Sequence, residues 1–252
     1  MTATATTIAP KATASFDAGT LQLRPAEARG RADFGWLDSR HSFSFGQYFD
    51  PRFQGFSNLR VINDDRVAAG GGFPMHSHQD AEIFSYILDG ALAHKDSMGH
   101  GSTVSAGGVQ YMAAGSGVSH SEFNASDTEL VRFLQVWLIP EVRGATPRYN
   151  TLDLDPATID GKPTLFLSPD GREGSIPTNA DADVYAARLN GRQSFDFAIP
   201  DGRVGWVQVA RGNLKVNDGD LREGDGLAVT EAGTLTFGNG EDAEVLIFDL
   251  PA

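Results

Sequence analysis

Glycine recurs between short apolar segments along almost the whole chain, and this pattern limits the fold more than any other feature of the sequence. There are 29 glycines in 252 residues, well above the usual ~7%. Glycines that recur between short apolar segments are typical of many short β-strands joined by tight turns. No segment predicts a helix longer than about two turns. We therefore predict an all-β protein.

The predicted strands fall into two groups, over residues 20–139 and 184–249. Between them, prolines, glycines and acidic residues across 140–183 predict an irregular surface connection with one short strand at 164–167. Three local predictions can be checked individually: a strand at 43–45, a strand at 59–63 that Asp64 and Asp65 terminate, and a loop at 97–102.

Three segments of the first group recur in the same order in the second group. The corresponding ranges are 86–94 and 207–217, 105–117 and 222–234, and 131–140 and 243–251. Repetition of this kind indicates two copies of one barrel. No histidine occurs after His120, so the second copy lacks imidazole donors and any metal site is expected in the first copy.

Two pairs of potential metal ligands share one spacing: His76 with His78, and His120 with Glu122. In an extended strand, side chains two residues apart leave the same face. Two antiparallel strands can therefore direct four donors at one ion. Imidazoles with a carboxylate suit Fe, Mn, Co, Ni, Cu or Zn better than Mg or Ca. Single His-x-His pairs are common on solvent-exposed strands, but two matched pairs bounded by glycine favour a metal site.

Charge and cysteine content exclude several classes of function. The chain has 20 basic and 33 acidic residues, a net charge of −13, which disfavours nucleic acids and anionic lipid surfaces as partners. It has no cysteine, so thiolate metal sites and disulfides are excluded, in agreement with a cytoplasmic location. Residues 1–19 lack the features of a secretory signal and are expected to be a mobile tail. No apolar run approaches the ~20 residues of a membrane span.

The remaining histidines have simpler structural interpretations. His41 lies in an aromatic stretch and is expected to be a hydrogen-bonded structural residue. His94 and His100 flank a loop. We expect His94 to pair with Asp96 and His100 to be solvated.

The aromatic residues between positions 34 and 56 are expected mainly in the core. Some of them can instead line the mouth of the barrel, and the candidates are Phe45, Phe53 and Phe56. Arg60 is interpreted either as a substrate contact or as a partner in a salt bridge.

Longer motifs cover much of the first half of the chain: WLDSRHSFSFGQYFDP (36–51), FSNLRVINDDRV (56–67), GGGFPMHSHQDAEIFSYILDG (70–90), HKDSMGH (94–100), GSGVSHSEFN (115–124) and VWLIPEVRGATPRY (136–149). Together they resemble the pirin family, most closely its bacterial branch of pirin-like quercetin 2,3-dioxygenases. The resemblance implies two tandem cupin domains, which are jelly-roll β-barrels. The N-terminal barrel, residues 20–150, would bind metal, and the C-terminal barrel, residues 151–252, would lack the ligands.

By match, the metal ligands that the resemblance implies are His76, His78, His120 and Glu122. Ser77 stands where the family usually has proline, but it lies between two ligands and leaves their spacing unchanged. Cupins in general use the glutamate at the position of Glu82, and strand parity does not separate it from Glu122. The resemblance favours Glu122 as the ligand, with Glu82 as a residue that orients a ligand imidazole.

The resemblance further implies a metal-dependent dioxygenase that cleaves the central ring of a flavonol such as quercetin with O₂ and releases CO. Fe(II) is the first expectation for the metal, ahead of Mn, Ni, Co, Cu or Zn, and Glu122 is the expected catalytic proton acceptor. Two alternatives stay open. One is a non-catalytic metal-binding redox sensor that regulates a protein partner, and the other is a different metal-dependent cupin enzyme such as an isomerase or hydrolase.

Overall fold

The computed structural model of the chain describes residues 20–252, and the predicted mobile tail at 1–19 lies outside the described residues. β-strands dominate, which confirms the all-β prediction. In chain order the strands are β1 (Leu21–Arg24), β2 (Gly30–Asp33), β3 (Leu37–His41), β4 (Leu59–Val67), β5 (Gly72–His78), β6 (Glu82–Asp89), β7 (Ala91–Asp96), β8 (Gly101–Ser105), β9 (Gly108–Ala113), β10 (Val118–Asn124), β11 (Val131–Leu138), β12 (Arg148–Asp153), β13 (Thr164–Ser168), β14 (Ile176–Pro177), β15 (Asp183–Leu189), β16 (Ser194–Ile199), β17 (Arg203–Val216), β18 (Gly219–Arg222), β19 (Gly226–Val229) and β20 (Gly233–Pro251).

Helical structure in residues 20–252 is limited to single turns. The helix α1 (Pro156–Ile159) begins where the Ala157 amide donates a hydrogen bond to Asp155 Oδ1 at 2.9 Å, an N-cap followed by proline at the first helical position. Two 3₁₀ turns cover Ala26–Ala28 and Arg172–Gly174. Within this part of the chain no helix is long and apolar enough to cross a membrane.

Two antiparallel sheets face each other in the first half of the chain. The large sheet has seven strands in the order β12-β9-β6-β11-β4-β3-β2, and the small sheet has four in the order β5-β10-β7-β8. Leu92 and Val104 of the small sheet pack with Ile87 and Phe133 of the large sheet in one buried cluster. Two facing sheets closed around a core are the layers of a jelly-roll barrel.

Eight strands of the second half of the chain and the first strand, β1, form one continuous nine-stranded sheet. Its main order is β1-β19-β17-β20-β15-β13-β14, with β16 added to β20 and β18 added to β17. The long strand β20 pairs with β16 near its start and with β15 near its end. A bulge at Gly212 bends β17: its φ is 64°, and a Cβ there would lie 2.2 Å from the Glu241 carbonyl oxygen, so the position requires glycine.

The first strand joins the sheet of the second barrel, although the predicted domain boundary at residue 20 assigns it to the first. Leu21–Arg24 pairs antiparallel with Gly226–Val229, and Leu21 and Leu23 pack against the core of the second barrel. The apolar pattern of a short strand indicates a strand but does not identify its partner. The division at residues 150 and 151 stays a prediction.

The two halves of the molecule share a core. Phe84 of β6 lies 5.5 Å from Phe166 and 6.4 Å from Phe248, measured between ring centroids, within one buried cluster built from both halves. The large sheet is therefore covered on one face by the small sheet and on the other by the C-terminal sheet. This double coverage explains why Glu82–Asp89 is apolar on both faces.

Two predictions around the first aromatic stretch are wrong. Residues 43–45 do not form a strand, because the chain bends there and Phe45 makes only an isolated bridge with Tyr48. Asp64 and Asp65 do not terminate a strand either, since β4 continues through both to Val67. The carboxyl groups of both aspartates are buried.

Further strands occupy segments that were predicted to be irregular, and two of them join the sheets of the first half of the chain. The strand β8 starts at Gly101, inside the predicted loop, and pairs with β7. The strand β12 lies within the predicted surface connection and pairs with β9 at the edge of the large sheet. Neither segment has the apolar alternation of a strand. We infer that their extended conformation is stabilised by pairing with a neighbouring strand rather than by the intrinsic β-propensity of their residues.

Candidate metal centre

The two histidine-bearing strands are direct neighbours, as the spacing predicts. In the antiparallel pair β5–β10, His76 lies opposite His120 and His78 lies opposite Val118. The register shifts between His120 and Glu122, because Glu122 lies opposite Phe73. This bulge on β5 adds one residue to that strand and changes the direction of the side chains around it.

Three imidazoles converge at this pair of strands. His76, His78 and His120 each offer a nitrogen within 4.8 Å of the others, and their ring centroids are 4.5 to 5.0 Å apart. Burial, followed by the nearby His76, lowers the pKa of His78 to about 4 and that of His120 to about 3. Both rings are therefore neutral near pH 7, the form in which imidazole binds a metal ion.

The backbone sets the tautomer of His76. Its Nδ1 lies 2.8 Å from the Pro74 carbonyl oxygen, which only accepts hydrogen bonds, so Nδ1 carries the proton. The lone pair is then on Nε2. Proline at position 74 is tolerated because β5 is the edge strand of the small sheet.

A chain of hydrogen bonds sets the tautomer of His120. Asp96 Oδ2 accepts from His94 Nε2 at 3.1 Å, which confirms the predicted pairing and leaves His94 Nδ1 as an acceptor. His120 Nδ1 lies 3.4 Å from that atom and therefore carries a proton. His120 Nε2 keeps its lone pair, is buried, and has no hydrogen-bond partner in the described part of the chain, the state expected of a metal ligand.

Glu122 lies beside these imidazoles, but its oxygens are already engaged. Oε1 accepts from Gln110 Nε2 at 2.5 Å and from Ser85 Oγ at 3.4 Å, and Oε2 accepts from Gln135 Nε2 at 3.0 Å. Burial raises the pKa of Glu122 to about 7, although these three donors act against the rise. Its carboxylate oxygen lies within 4.8 Å of nitrogens of His120 and His94. A carboxylate has further lone pairs with which to bind a cation.

Glu82 is directed to a different part of the molecule. Its carboxylate accepts hydrogen bonds from Tyr111, from Thr178 Oγ1 at 3.0 Å, and from the backbone amide of Asn179 at 3.0 Å. Thr178 and Asn179 belong to the second half of the chain. Geometry thus separates the two glutamates that strand parity does not: Glu82 connects the two halves, and Glu122 lies with the histidines.

A cavity of about 810 Å³ opens onto His76, His78 and Glu122. Aromatic side chains form much of its wall, and they are Phe34, Trp36, Phe45, Tyr48, Phe73 and Trp137. The aromatic stretch 34–56 thus serves both core and cavity: Phe45 lines the cavity as predicted, while Phe53 and Phe56 pack against the core. Trp137 lies 4.9 Å from the His78 ring, between centroids.

Three other predicted side chains differ from expectation in part. His41 is buried as expected, but its Nδ1 has no hydrogen-bond partner in the described residues, and it faces the cavity. His100 is half-exposed and also contacts Asp96, at 3.1 Å. Among residues 20–252 Arg60 forms no salt bridge, and it does not line the cavity of about 810 Å³. Its guanidinium donates to the backbone oxygens of Ser44, at 3.1 Å, and Gln54.

The donor set fits a divalent transition metal. Three imidazoles with a carboxylate beside His120 are ligands suited to borderline ions. His120 Nε2 supplies a buried lone pair that has no hydrogen-bond partner among the described residues. Sequence reasoning missed Ser85, Gln110 and Gln135, which hold Glu122. The alternation of side chains along β6, β9 and β11 indicates which face each of these residues occupies. It does not indicate that the three strands are neighbours, which is what brings the residues together.

Comparisons with known proteins agree with this architecture. The family model described as Pirin matches residues 22–138, and the one described as Quercetinase C-terminal cupin domain matches residues 165–250. The quercetin 2,3-dioxygenase of Escherichia coli strain K12 is 46% identical, over 92% of this chain and 99% of that protein. A pirin-like protein of Caulobacter vibrioides is 36% identical, over 91% of this chain and 99% of that protein.

Solved structures show the same relationship. YhhW from E. coli superposes with a TM-score of 0.88 at 44% identity, covering 92% of this chain and 97% of that one. The bacterial pirin YhhW in complex with nickel(II) gives a TM-score of 0.87 at 43% identity, covering 92% and 99%. A relative of the same fold therefore binds a divalent metal ion.

Proposed function

The chain belongs to the pirin family, in the bacterial branch whose members are named quercetin 2,3-dioxygenases, and we propose that it cleaves the central ring of a flavonol with O₂. The observation that carries this proposal is the group of three imidazoles at His76, His78 and His120, two of which line an aromatic-walled cavity together with the buried carboxylate of Glu122. Quercetin is the proposed model substrate, taken from the names of the relatives.

The residues that would hold the metal are His76, His78 and His120, with Glu122 as the fourth ligand. Fe(II) is the metal we propose first, and Mn, Ni, Co, Cu or Zn fit the same donors. When bound, such an ion acts as a Lewis acid that favours the anion of a phenolic hydroxyl. The tautomers set by Pro74 and by His94 direct Nε2 of His76 and of His120 to this role.

Glu122 is proposed to accept the proton of the flavonol 3-hydroxyl. The carboxylate form is the one that accepts a proton, and without a metal ion burial raises the pKa of this carboxyl to about 7. A nearby cation would lower that value again. Gln110 and Gln135 fix the carboxylate from two sides, so it accepts the proton without a change of rotamer.

The cavity supplies orientation and excludes water. Its aromatic walls suit a flat polycyclic substrate, and about 810 Å³ is within the usual range of ~300–1,000 Å³ for small-molecule sites. The balanced overall reaction places both atoms of O₂ in the products, and the excised ring carbon leaves as CO.

The test of this function begins with the metal content of protein purified without added metal. The protein is then loaded in turn with iron, manganese, nickel, cobalt or copper, and O₂ uptake and CO release are measured with quercetin. We expect CO in proportion to the quercetin consumed with at least one metal. Absence of CO with all of them would reject the flavonol reaction.

The ligand assignment has its own test. We expect His78→Ala to lose bound metal, because it removes one of three converging imidazoles. His100→Ala is the matched control, since His100 is half-exposed and lies outside the three-histidine group. Full metal retention by His78→Ala would contradict the assignment.

A second function is a non-catalytic redox sensor that binds a protein partner. The net charge of −13 favours a protein over a nucleic acid as that partner. The two functions differ in stoichiometry: an enzyme consumes many equivalents of flavonol, whereas a sensor only binds one.

A further inference from the structure

A row of polar side chains crosses the inner face of the large sheet through five neighbouring strands. Each member lies directly opposite the next in the strand register, in the order Gln110, Ser85, Gln135, Asn63 and His41. The first three donate hydrogen bonds to Glu122. The last two continue the row away from Glu122, across β4 and β3.

Four buried polar atoms at the far end of this row have no partner among the described residues. They are Asn63 Oδ1 and His41 Nδ1, together with the next cross-strand pair, Asp65 Oδ1 and Ser39 Oγ. Every one of these residues is at most 4% exposed and lines the cavity. We name Ser39, His41, Asn63 and Asp65 the β3–β4 patch.

The patch is unusual because folded proteins satisfy the great majority of their buried polar groups. Ser39 lies close enough to Asp65 to lower the pKa of its carboxyl, but neither Ser39 Oγ nor Asp65 Oδ1 has a hydrogen-bond partner among the described residues. These four atoms belong to residues on one face of two paired strands, and all four residues line the cavity onto which His76 and His78 open. Packing does not explain them, since apolar side chains of similar size would bury at lower cost.

We propose that the β3–β4 patch is a substrate subsite that binds phenolic hydroxyls on the part of an aromatic substrate remote from the three histidines. The inference rests on the proposed function for the class of ligand. It goes beyond that function by naming the residues that would distinguish one flavonol from another.

The chemistry of the patch selects neutral hydrogen-bond donors. Asn63 and Asp65 line the cavity and each carries an acceptor oxygen without a partner among the described residues. A phenolic hydroxyl is a donor that fits such oxygens. Anions are disfavoured, because Asp65 and Glu122 line the same cavity, while the nearest basic lining residue, Arg31, has a side chain that is 59% exposed.

The spacing suits a single multi-ring ligand. Adjacent strands lie ~4.8 Å apart, which places Asn63 about one spacing, and His41 about two spacings, from Gln135 on the Glu122 side. A ligand whose 3-hydroxyl lies at Glu122 can therefore reach the patch with hydroxyls on an outer ring. Trp36 and Phe73 line the same cavity and offer faces for the ring to pack on.

The experiment compares two flavonols that share the 3-hydroxyl. Quercetin carries hydroxyls on both outer rings, whereas unsubstituted 3-hydroxyflavone carries none. Affinities are measured by calorimetry on the metal-loaded protein under nitrogen, so that no turnover occurs. We expect the wild-type protein to bind quercetin at least ~10-fold more tightly, since a site with buried polar groups rejects a ligand that leaves them unpaired.

In Asn63→Leu we expect this ratio to fall to about threefold or less, mainly through weaker quercetin binding. Ser39→Ala removes a single hydroxyl, is the gentler variant for folding, and is expected to give an intermediate ratio. Phe34→Leu is the matched control: it changes an exposed part of the cavity wall and should affect both flavonols equally.

Equal affinity of the wild-type protein for both flavonols would overturn the subsite, as would an unchanged ratio in Asn63→Leu and Ser39→Ala. Polar atoms that merely hold water would give the first of these results. Failure of the proposed function is separable: selective binding without CO release rejects the dioxygenase and keeps the subsite. Release of CO with an unchanged ratio in the variants rejects only the subsite.

Discussion

Asp64 and Asp65 are adjacent in β4, but their carboxyl groups lie on opposite faces of the strand and their pKa values shift in opposite directions. Asp65 faces the cavity, and burial raises its pKa to about 7, with the charges of Asp64 and Glu122 acting in the same direction. Asp64 points to the opposite face, where Arg132 donates to it at 3.0 and 3.1 Å. Burial acts to raise the pKa of Asp64, but Arg132 together with Arg66 and Arg29 outweighs burial, and the pKa is lowered.

We predict that Asp65→Asn stabilises the protein at pH 8 but not near pH 4. The folded pKa lies above the unfolded value of ~3.9, so the wild-type protein keeps full stability below pH 4 and loses it as the pH rises towards 7. Asparagine does not titrate. The expected gain at pH 8 is a few kcal/mol, measured as the free energy of unfolding in urea after metal removal by a chelator.

Asp64→Asn is the matched control and should change stability in the opposite direction. Its folded pKa is lowered, so its ion pair with Arg132 contributes at neutral pH and is lost as the pH falls. Asp64→Asn is therefore expected to destabilise the protein at pH 8. If Asp65→Asn is also destabilising at that pH, the description of Asp65 as a costly buried carboxyl is wrong.

The histidine positions were predictable from sequence because strand parity is a local property. His76 and His78 lie two residues apart on one strand, and the strand pairing places His120 opposite His76. The preference for Glu122 over Glu82 as a ligand came from family resemblance and stays a prediction. The hydrogen bonds that direct Glu82 to Thr178 and Asn179 join residues almost a hundred positions apart in the sequence. The polar partners of Glu122 were equally invisible, because they meet only through the strand order.

At the scale of elements, β7 supports the metal centre without supplying a proposed ligand. It places His94 between Asp96 and His120, and Asp96 is itself held by the backbone amides of Met98 and His100. The turn after β7 thus holds the Asp96 carboxylate in place. Asp96 orients the His94 imidazole, and His94 orients the His120 imidazole. Residues that orient metal ligands in this way are expected to influence metal affinity.

We predict that His94→Phe weakens metal binding by about 10- to 100-fold. Phenylalanine keeps the packing on Tyr149, whose ring centroid lies 4.2 Å from that of His94, but removes the acceptor that sets the His120 tautomer. The measurement is a nickel(II) titration against a competing chelator, which does not depend on turnover.

His100→Phe is the control for this prediction. His100 also contacts Asp96 and stacks near Tyr149, but its contacts do not extend to His120, so nickel affinity should change little. Equal nickel affinity in the wild-type protein and His94→Phe would show that His94 does not orient His120.

At the scale of the whole molecule, the sequence repeats predicted two similar halves but not how they depend on each other. The strand β1 pairs with β19 across the length of the chain, and Glu82 binds two residues of the second half. Apolar side chains of both halves, Phe84 and Phe166 among them, form one buried cluster. Contacts between distant segments of this kind leave no periodic signal in either half.

We predict that a fragment ending at residue 150 is insoluble when expressed alone. It would expose the face of the large sheet that now packs on the C-terminal sheet, including Phe84, Tyr86 and Tyr111, and it would leave β1 without its partner strand. Large exposed apolar faces and unpaired strands favour aggregation. Co-expression with residues 151–252 is the matched experiment and should restore a soluble, metal-binding complex, detected by size-exclusion chromatography with metal analysis. A soluble, monomeric N-terminal fragment that binds metal alone would show that the second barrel is not needed to cover the first.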